Sequence, residues 1–199
     1  MKRIALTGAI ASGKSSVARA LGERGYLVVE HADVLKQLLV DALASIGVVL
    51  TLEEIKANKA QYRTLLQEWG SAIGFDSGRY IGYALREAGW NEAEQDFKAD
   101  RAVIDNVRTD AQAEAAKAWG FQVVRLNVSD YTRWDRLRAN GVSATKIGQH
   151  ESHPIERGIS SSLIDYQVSS DVLSPEGFAE FLIGLGEEEK ETTDAQANR

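Results

Sequence analysis

The chain has 199 residues, of which 44% are hydrophobic and 26% are charged, and its formal net charge is −6. This is the composition of a globular domain, and such an acidic chain offers no overall basic surface for a nucleic-acid polymer or an anionic membrane. The absence of cysteine excludes disulfides, thiolate metal sites and a cysteine nucleophile. No apolar run approaches the ~18 residues of a membrane span, and the start of the chain runs directly into a predicted strand, so we expect a cytoplasmic protein.

The first predicted elements enclose the most informative motif. A strand is predicted over 3–7 and a helix over 16–21, and residues 8–15 between them read GAIASGKS, which matches G-x-x-x-x-G-K-[ST] at every fixed position. Glycines let the backbone wrap a phosphate, and the N–H groups of a helix N-terminus point at the anion. Lys14 would contact the β- and γ-phosphates, and the Ser15 hydroxyl would ligate Mg²⁺. The motif predicts nucleoside triphosphate binding by Gly8, Ala11, Ser12, Gly13, Lys14, Ser15 and Ser16.

Strand and helix signals alternate along the rest of the chain, which predicts an α/β domain with helices on both faces of a mostly parallel five-stranded sheet. Beyond the first strand, the strands are predicted over 26–30, 102–105, 121–128 and 166–168. Further helices are predicted over 33–44, 109–119, 130–139 and from Pro175 to about Leu185. A helical insertion is predicted over about 45–95, and a polar loop over 140–153. We therefore expect one domain over 1–186 and a disordered polar tail over 187–199.

Two acidic residues are predicted at the carboxyl ends of strands, where open α/β folds bind ligands. Asp33 would orient an acceptor or reach Mg²⁺ through water, or it would serve as the N-cap of the next helix. Asp105 ends a predicted apolar strand, the usual position of the magnesium partner of a phosphate loop. Arg108 follows at the same edge as a catalytic and acceptor-binding candidate, the alternative being a solvated loop arginine.

Further candidates lie on two predicted helices. Arg133 and Arg136 share a face and would form part of a lid over about 130–153 that brings cations over the phosphates, unless they form a solvated charged face. In the insertion, Arg63 and Gln67 are four residues apart and would offer a cation to an acceptor phosphate and an amide to a base.

Aromatic and histidine side chains give weaker signals. Trp69 and Tyr80 would stack on a base, or they would fill the core, as aromatic residues at helical spacing usually do. The histidines, His31, His150 and His153, show neither a metal-binding pair nor a catalytic triad pattern. No site role is therefore predicted for them.

Three further segments carry a resemblance to a known family. Residues 62–70 (YRTLLQEWG) are similar to a Y-R-x-L-L-Q-x-x-G segment, and 103–108 (VIDNVR) to a strand ending in D-V-R. Residues 153–156 (HPIE), followed by 164–168 (IDYQV), are similar to an H-P-S-E segment before a last strand. With the phosphate loop, these segments resemble the nucleoside monophosphate kinases, most closely the deoxynucleoside monophosphate kinases of bacteriophages. Asn106 and Ile155 depart from the pattern.

The resemblance implies a P-loop kinase fold and transfer of the ATP γ-phosphate, with Mg²⁺, to a deoxynucleoside monophosphate in the host cytoplasm. The partners that it implies are ATP and the monophosphate, and neither a nucleic-acid polymer nor a membrane. A homodimer is possible under this resemblance. Within it, Lys14, Arg108, Arg133 and Arg136 are the catalytic candidates, and Ser15 and Asp105 the metal ligands.

Two alternatives stay open. A G-x-x-x-S-G-K-S loop with an acidic residue at Asp33 is also similar to dephospho-coenzyme A kinase, although segment 62–70 favours the nucleotide kinase. A nucleotide-dependent switch or binding module is the alternative of another class. No N-K-x-D guanine motif is present, and an arginine-bearing lid suits shielding a bound acceptor from water.

Overall fold

The computed structural model describes residues 1–91, 96–97, 99–142 and 158–197. The strands are β1 (Arg3–Thr7), β2 (Leu27–Val29), β3 (Trp90–Asn91), β4 (Asp96–Phe97), β5 (Ala102–Ile104), β6 (Gln122–Asn127) and β7 (Tyr166–Ser169). The helices are α1 (Lys14–Gly22), α2 (His31–Ala44), α3 (Leu52–Ala57), α4 (Lys59–Ala72), α5 (Arg79–Glu87), α6 (Asp110–Ala118), α7 (Asp130–Ala139) and α8 (Pro175–Ala197). Single 3₁₀ turns lie at Phe75–Ser77 and Ser161–Leu163.

A parallel sheet of five strands forms the centre of the domain, in the order β2-β5-β1-β6-β7. The prediction of a five-stranded parallel sheet in an α/β fold is confirmed. The strands are short and apolar, as expected when helices cover both faces. Every parallel crossover brings the chain back to the same edge, so the carboxyl ends of β1, β2 and β5 lie side by side.

Successive residues of β1 divide the core in two, because neighbouring side chains of a strand point to opposite faces. Ile4 and Leu6 pack in a cluster with α1 and α8, which includes Leu21 and Phe178. Ala5 packs in a separate cluster with α5 and α6. The domain therefore has three layers, helix, sheet and helix.

Two elements differ from the sequence prediction. The last helix, α8, extends to Ala197, although an end near Leu185 and a disordered tail over 187–199 are predicted. Glutamate, lysine and alanine are strong helix formers, so residues 187–197 can continue a helix despite their polarity. The ribbon of β3 and β4 is not predicted, because two-residue strands leave no periodic signal.

The remaining boundaries lie within a few residues of prediction, and the helical insertion is built by α3, α4 and α5. Residues 143–157, which include most of the predicted lid loop together with His150 and His153, lie outside the described residues. Among the described residues, no helix combines the length and apolar character that crossing a membrane requires.

Gly78 lets the insertion approach α6 closely, and it gives a test of this packing. It has φ +78°, and a Cβ there would lie 2.9 Å from the carbonyl carbon of Ala111, at the start of α6. We expect Gly78→Ala to lower the free energy of unfolding by about 2–4 kcal/mol, as the sum of left-handed strain and steric overlap. Urea unfolding monitored by circular dichroism measures this loss.

Gly47 provides the matched control, since it has φ +81° and a Cβ there would meet nothing within 4 Å. Gly47→Ala should cost only the strain of the backbone, about 1–2 kcal/mol. Equal losses for the two variants would show that close packing of α5 against α6 does not contribute.

Candidate active site

The carboxyl edge of the sheet opens into a cleft with a volume of about 580 Å³. The phosphate loop forms one side, and α2, α4 and the segment after α4 form the other. Basic side chains outnumber acidic ones in the lining, although the chain as a whole is acidic. These are Lys14, Lys36, Lys59, Arg63, Arg108 and Arg136, whereas Asp105 is the one acidic side chain among the described lining residues.

The phosphate loop depends on backbone conformations that few residues adopt. Gly8 and Gly13 have φ +143° and +97°, and Ala11 lies in the left-handed region at φ 60°. A Cβ on Gly8 would lie 2.5 Å from the carbonyl oxygen of Leu126, so only glycine fits there. Because Gly13 has no side chain to cap α1, the first N–H groups of the helix are left for an anion.

Lys14 is buried in the loop that it belongs to. Its Nζ donates hydrogen bonds to the carbonyl oxygens of Gly8 at 2.7 Å and Ala9 at 2.8 Å. The buried Ser12 hydroxyl lies 3.4 Å from the same nitrogen. The loop thus holds the ammonium group at the cleft, close to the position where the loop would bind a phosphate. Ser15 and Ser16 line the cleft beside it.

Arg136 reaches the phosphate loop from α7. Its guanidinium donates to the carbonyl oxygen of Ala11 at 3.1 Å and to that of Ser170 at 3.0 Å. It therefore joins the loop to the turn after β7, and it lines the cleft. Arg136 thus lies at the phosphate loop, and its catalytic role stays a prediction.

The neighbouring arginines of α7 are placed differently. Arg133 donates to Asp130 at 2.8 Å, one turn earlier on the helix, and it is absent from the described residues that line the cleft. Arg138 is exposed and lies 3.7 Å from Asp135. Of the predicted pair on one helix face, only Arg136 lies at the cleft in this structure.

Asp105 follows β5 at the cleft, and its Oδ1 atom is buried with no hydrogen-bond partner among the described residues. Burial, and next the negative charge of Glu30, raise the pKa of Asp105 from 3.8 to about 6, against the opposing charges of Lys36 and Lys14. An ionised, unpartnered carboxylate in this position is costly, and a bound cation would relieve that cost.

Asp33 does not line the described cleft, in contrast to its predicted contact with an acceptor. Its carboxylate forms ion pairs with Lys36, on the same helix, and with Lys56 of α3. Lys56 also lies 3.0 Å from Glu30. Burial opposes ionisation of Asp33, but hydrogen bonds with Glu30, Lys36 and Lys56 outweigh it and lower its pKa. Asp33 thus helps to attach α3 to the edge of the sheet.

One face of α4 lines the cleft. Arg63, Leu66, Gln67 and Gly70 follow the spacing i, i+3, i+4 and i+7, which places side chains on one side of a helix. A Cβ on Gly70 would lie 3.1 Å from Leu35 and 3.6 Å from the Cβ of Phe75. The glycine therefore lets α4 pack closely against α2.

Trp69 and Tyr80, the predicted stacking residues, are absent from the described lining. Trp69 comes two residues after Gln67 and therefore lies outside the face of α4 that lines the cleft. Tyr80 packs on Phe75 with ring centroids 4.9 Å apart and donates to the carbonyl oxygen of Ile73 at 3.3 Å. Phe75 and His31 line the cleft instead, and the sequence pattern gave neither a site role.

Arg108 and Gln112 connect this aromatic wall to the loop after β5. The backbone N–H of Arg108 donates to Gln112 Oε1 at 2.9 Å, and Gln112 Nε2 donates to the carbonyl oxygen of Phe75 at 3.4 Å. The Arg108 side chain is oriented by Asn106, which accepts from its Nε at 3.1 Å. Arg108 thus lies at the cleft, as predicted, and Gln112 links its loop to Phe75.

Arg136→Ala tests whether that arginine acts during turnover. We expect the turnover number of the enzyme activity proposed below to fall by about a hundredfold, since a donor aimed at developing charge is worth that much. The dissociation constant of ATP should change less, because the N–H groups of the loop and Lys14 remain. Steady-state kinetics and equilibrium titration with ATP separate the two.

Arg138→Ala is the matched control on the same helix, because 65% of that side chain is exposed. It should leave both constants unchanged. An unchanged turnover number in Arg136→Ala, with a raised ATP dissociation constant, would make Arg136 a simple binding contact.

Known proteins resemble the chain at the level of family and fold. The structure of TT1252 from Thermus thermophilus matches with a TM-score of 0.54 at 20% identity, over 92% of this chain and 96% of that chain. A shikimate kinase from Acinetobacter baumannii, solved in complex with shikimate, matches with a TM-score of 0.51 at 15% identity, over 96% of this chain and 95% of that chain. No curated protein matches the sequence.

Identities this low show a shared fold and nothing finer. The shared fold is an α/β P-loop kinase fold, with a parallel five-stranded sheet between layers of helices. A family model described as AAA domain matches residues 4–157, which is more than half of the chain. The protein therefore belongs to the AAA domain family and has a P-loop kinase fold.

Proposed function

We propose that the protein is an ATP-dependent deoxynucleoside monophosphate kinase, as the resemblance to the bacteriophage enzymes implies. A phosphate oxygen of the acceptor forms a bond to the γ-phosphorus of ATP, the bond from that phosphorus to the bridging oxygen breaks, and ADP leaves with that oxygen. The observation that carries the proposal is that Lys14 and a second set of cations line one cleft. A triphosphate and an anionic acceptor can then meet there.

The donor side is the phosphate loop. The N–H groups at the start of α1 would hold the phosphates, and Lys14 would exchange its hydrogen bonds with Gly8 and Ala9 for phosphate oxygens. Arg136, held by the carbonyl oxygen of Ala11, would oppose the charge that develops during transfer.

The residues at the cleft also fit Mg²⁺. Ser15 brings a hydroxyl group, and Asp105 brings a buried carboxylate oxygen without a partner among the described residues. No group of three or more histidine or acidic side chains in the described chain is arranged to hold a metal alone. Mg²⁺ suits a site with so few protein ligands, because it is commonly held by one or two carboxylates together with substrate phosphates. When bound, it neutralises charge on the transferring phosphate.

The acceptor side consists of α4 and the loop after β5. Arg63 and Arg108 line the cleft and would bind the acceptor phosphate, and Lys59 lies with them. Such fixed cations would bring the acceptor oxygen into line with the γ-phosphorus, which supplies most of the catalysis in phosphoryl transfer. Gln67, on the same face of α4 as Arg63, supports an acceptor that carries a base.

An ADP-release assay with ATP and Mg²⁺ tests the proposal against dAMP, dGMP, dCMP, dTMP, AMP, dephospho-coenzyme A and shikimate. We expect acceptor-dependent ADP release with at least one deoxynucleoside monophosphate. Release with dephospho-coenzyme A or shikimate alone would overturn the acceptor assignment. ATP hydrolysis that ignores every acceptor would instead favour a nucleotide-dependent switch.

A further inference from the structure

Two polar groups of the acceptor side lack hydrogen-bond partners among the described residues. They are Nδ1 of His31 and Nε2 of Gln67, and both atoms are buried in side chains that line the cleft. An unsatisfied buried polar group costs about 1–3 kcal/mol, so a native protein keeps one for a reason. A ligand that offers the matching groups would recover that free energy on binding.

His31 also belongs to an aromatic pair that lines the cleft. Its ring is stacked on that of Phe75, with centroids 5.6 Å apart and planes 5° apart. Gln112 holds the carbonyl oxygen of Phe75, and Leu35 and Leu66 complete the apolar lining nearby. Aromatic and leucine side chains together give a heteroaromatic ring apolar contact at the place where the two unpartnered polar atoms lie.

The imidazole is uncharged at neutral pH. His31 is only 2% exposed, and burial, followed by the charges of Arg108 and Lys36, lowers its pKa to about 3, while Asp33 opposes them. Since it carries no charge, His31 is unsuited to binding a phosphate in the way that Arg63 does. Its Nδ1 is instead available for a hydrogen bond between neutral groups.

We propose that His31 is a specificity-determining residue, which with Gln67 recognises an uncharged, planar heteroaromatic ring on the acceptor. The ring lies beside His31 and Phe75, and its hydrogen-bonding edge pairs with Nδ1 and with the amide. The phosphate of the same molecule lies on the arginine side of the cleft. This inference rests on the proposed function, because it requires that the cleft bind the acceptor.

Calorimetric titration of the full chain with deoxynucleoside monophosphates and with 2-deoxyribose 5-phosphate, which has no ring system of this kind, tests the proposal. His31→Phe keeps an aromatic ring and removes Nδ1. We expect it to weaken binding of the best monophosphate about tenfold, the loss of one buried hydrogen bond, without changing the affinity for 2-deoxyribose 5-phosphate or ATP. His31→Asn, which keeps a polar atom near Nδ1, should restore part of the loss.

Gln67→Ala should also weaken binding of the monophosphate, whereas Gln61→Ala, at an exposed position of α4 outside the described lining, should not. Unchanged monophosphate affinity in His31→Phe would overturn the inference, as would an equal loss for 2-deoxyribose 5-phosphate. Either result leaves the proposed function intact. If the wild-type protein binds none of the monophosphates, the proposed function and the inference both fail. Thermal melting of each variant shows whether it is folded.

Discussion

Lys14→Ala is expected to reduce acceptor-dependent ADP release by about a thousandfold, the upper range for removal of one fixed electrostatic donor from an active site. The ammonium group is the only charge that the phosphate loop itself brings to the cleft. Its removal leaves the N–H groups at the start of α1, so some ATP binding should persist. The steady-state rate at saturating ATP measures the loss.

The fold should survive this substitution. Lys14 is buried, and its hydrogen bonds go to carbonyl groups at the edge of the cleft, which water can reach once the side chain is removed. Lys2→Ala, at an exposed position just before β1, is the control and should retain full activity. Near-normal turnover in Lys14→Ala would refute the assignment of the loop as the donor site.

Asp105→Asn is expected to stabilise the ligand-free protein at pH 7 while it reduces turnover by about a hundredfold. The raised pKa of Asp105, about 6 against an ordinary 3.8, means that the folded protein is destabilised when this carboxyl ionises. That difference corresponds to roughly 2–3 kcal/mol in the free energy of unfolding. An uncharged amide escapes this cost.

The pH range follows from the direction of the shift. Below pH 3.8 the carboxyl is protonated in both the folded and the unfolded chain, so the folded protein does not bear the cost of ionising Asp105 and is more stable than at neutral pH. This extra stability is lost as the pH rises from 3.8 through about 6. The advantage of Asp105→Asn should therefore grow over this range and stay constant above it. Urea unfolding at several pH values, without Mg²⁺ or ATP, measures it.

Ligand binding should reverse the order of stability. Mg²⁺ and ATP together should raise the melting temperature of the wild-type protein more than that of Asp105→Asn, because only the wild type offers a carboxylate to the cation. A variant that is less stable at pH 7 and fully active would show that Asp105 is neither strained nor a metal ligand.

The sequence was sufficient to predict the sheet and the position of the phosphate loop. Short apolar segments separated by helical segments specify parallel strands, and a parallel sheet brings the ends of β1, β2 and β5 to one edge. Residues placed directly after those strands, such as Asp105 and Arg108, consequently lie at the cleft as predicted. The order and direction of the strands are enough to predict where these residues lie.

Side chains whose surroundings come from distant segments could not be predicted in this way. Asp33 follows β2, but Lys56 of α3 pairs with it, and no local pattern shows that contact. The site role we propose for His31 likewise depends on Phe75, which lies more than forty positions along the chain. Sequence spacing gives the face of a helix, whereas the partner of that face depends on tertiary packing.

Gly70 makes one wall of the cleft sensitive to a single substitution. The missing side chain lets α4 pack close to Leu35 and Phe75, and all three residues line the cleft. A Cβ there would lie 3.1 Å from Leu35, so a larger residue would displace that side chain or shift α4. A substitution at this one position would therefore reshape the wall formed by α4 and leave the phosphate loop unchanged.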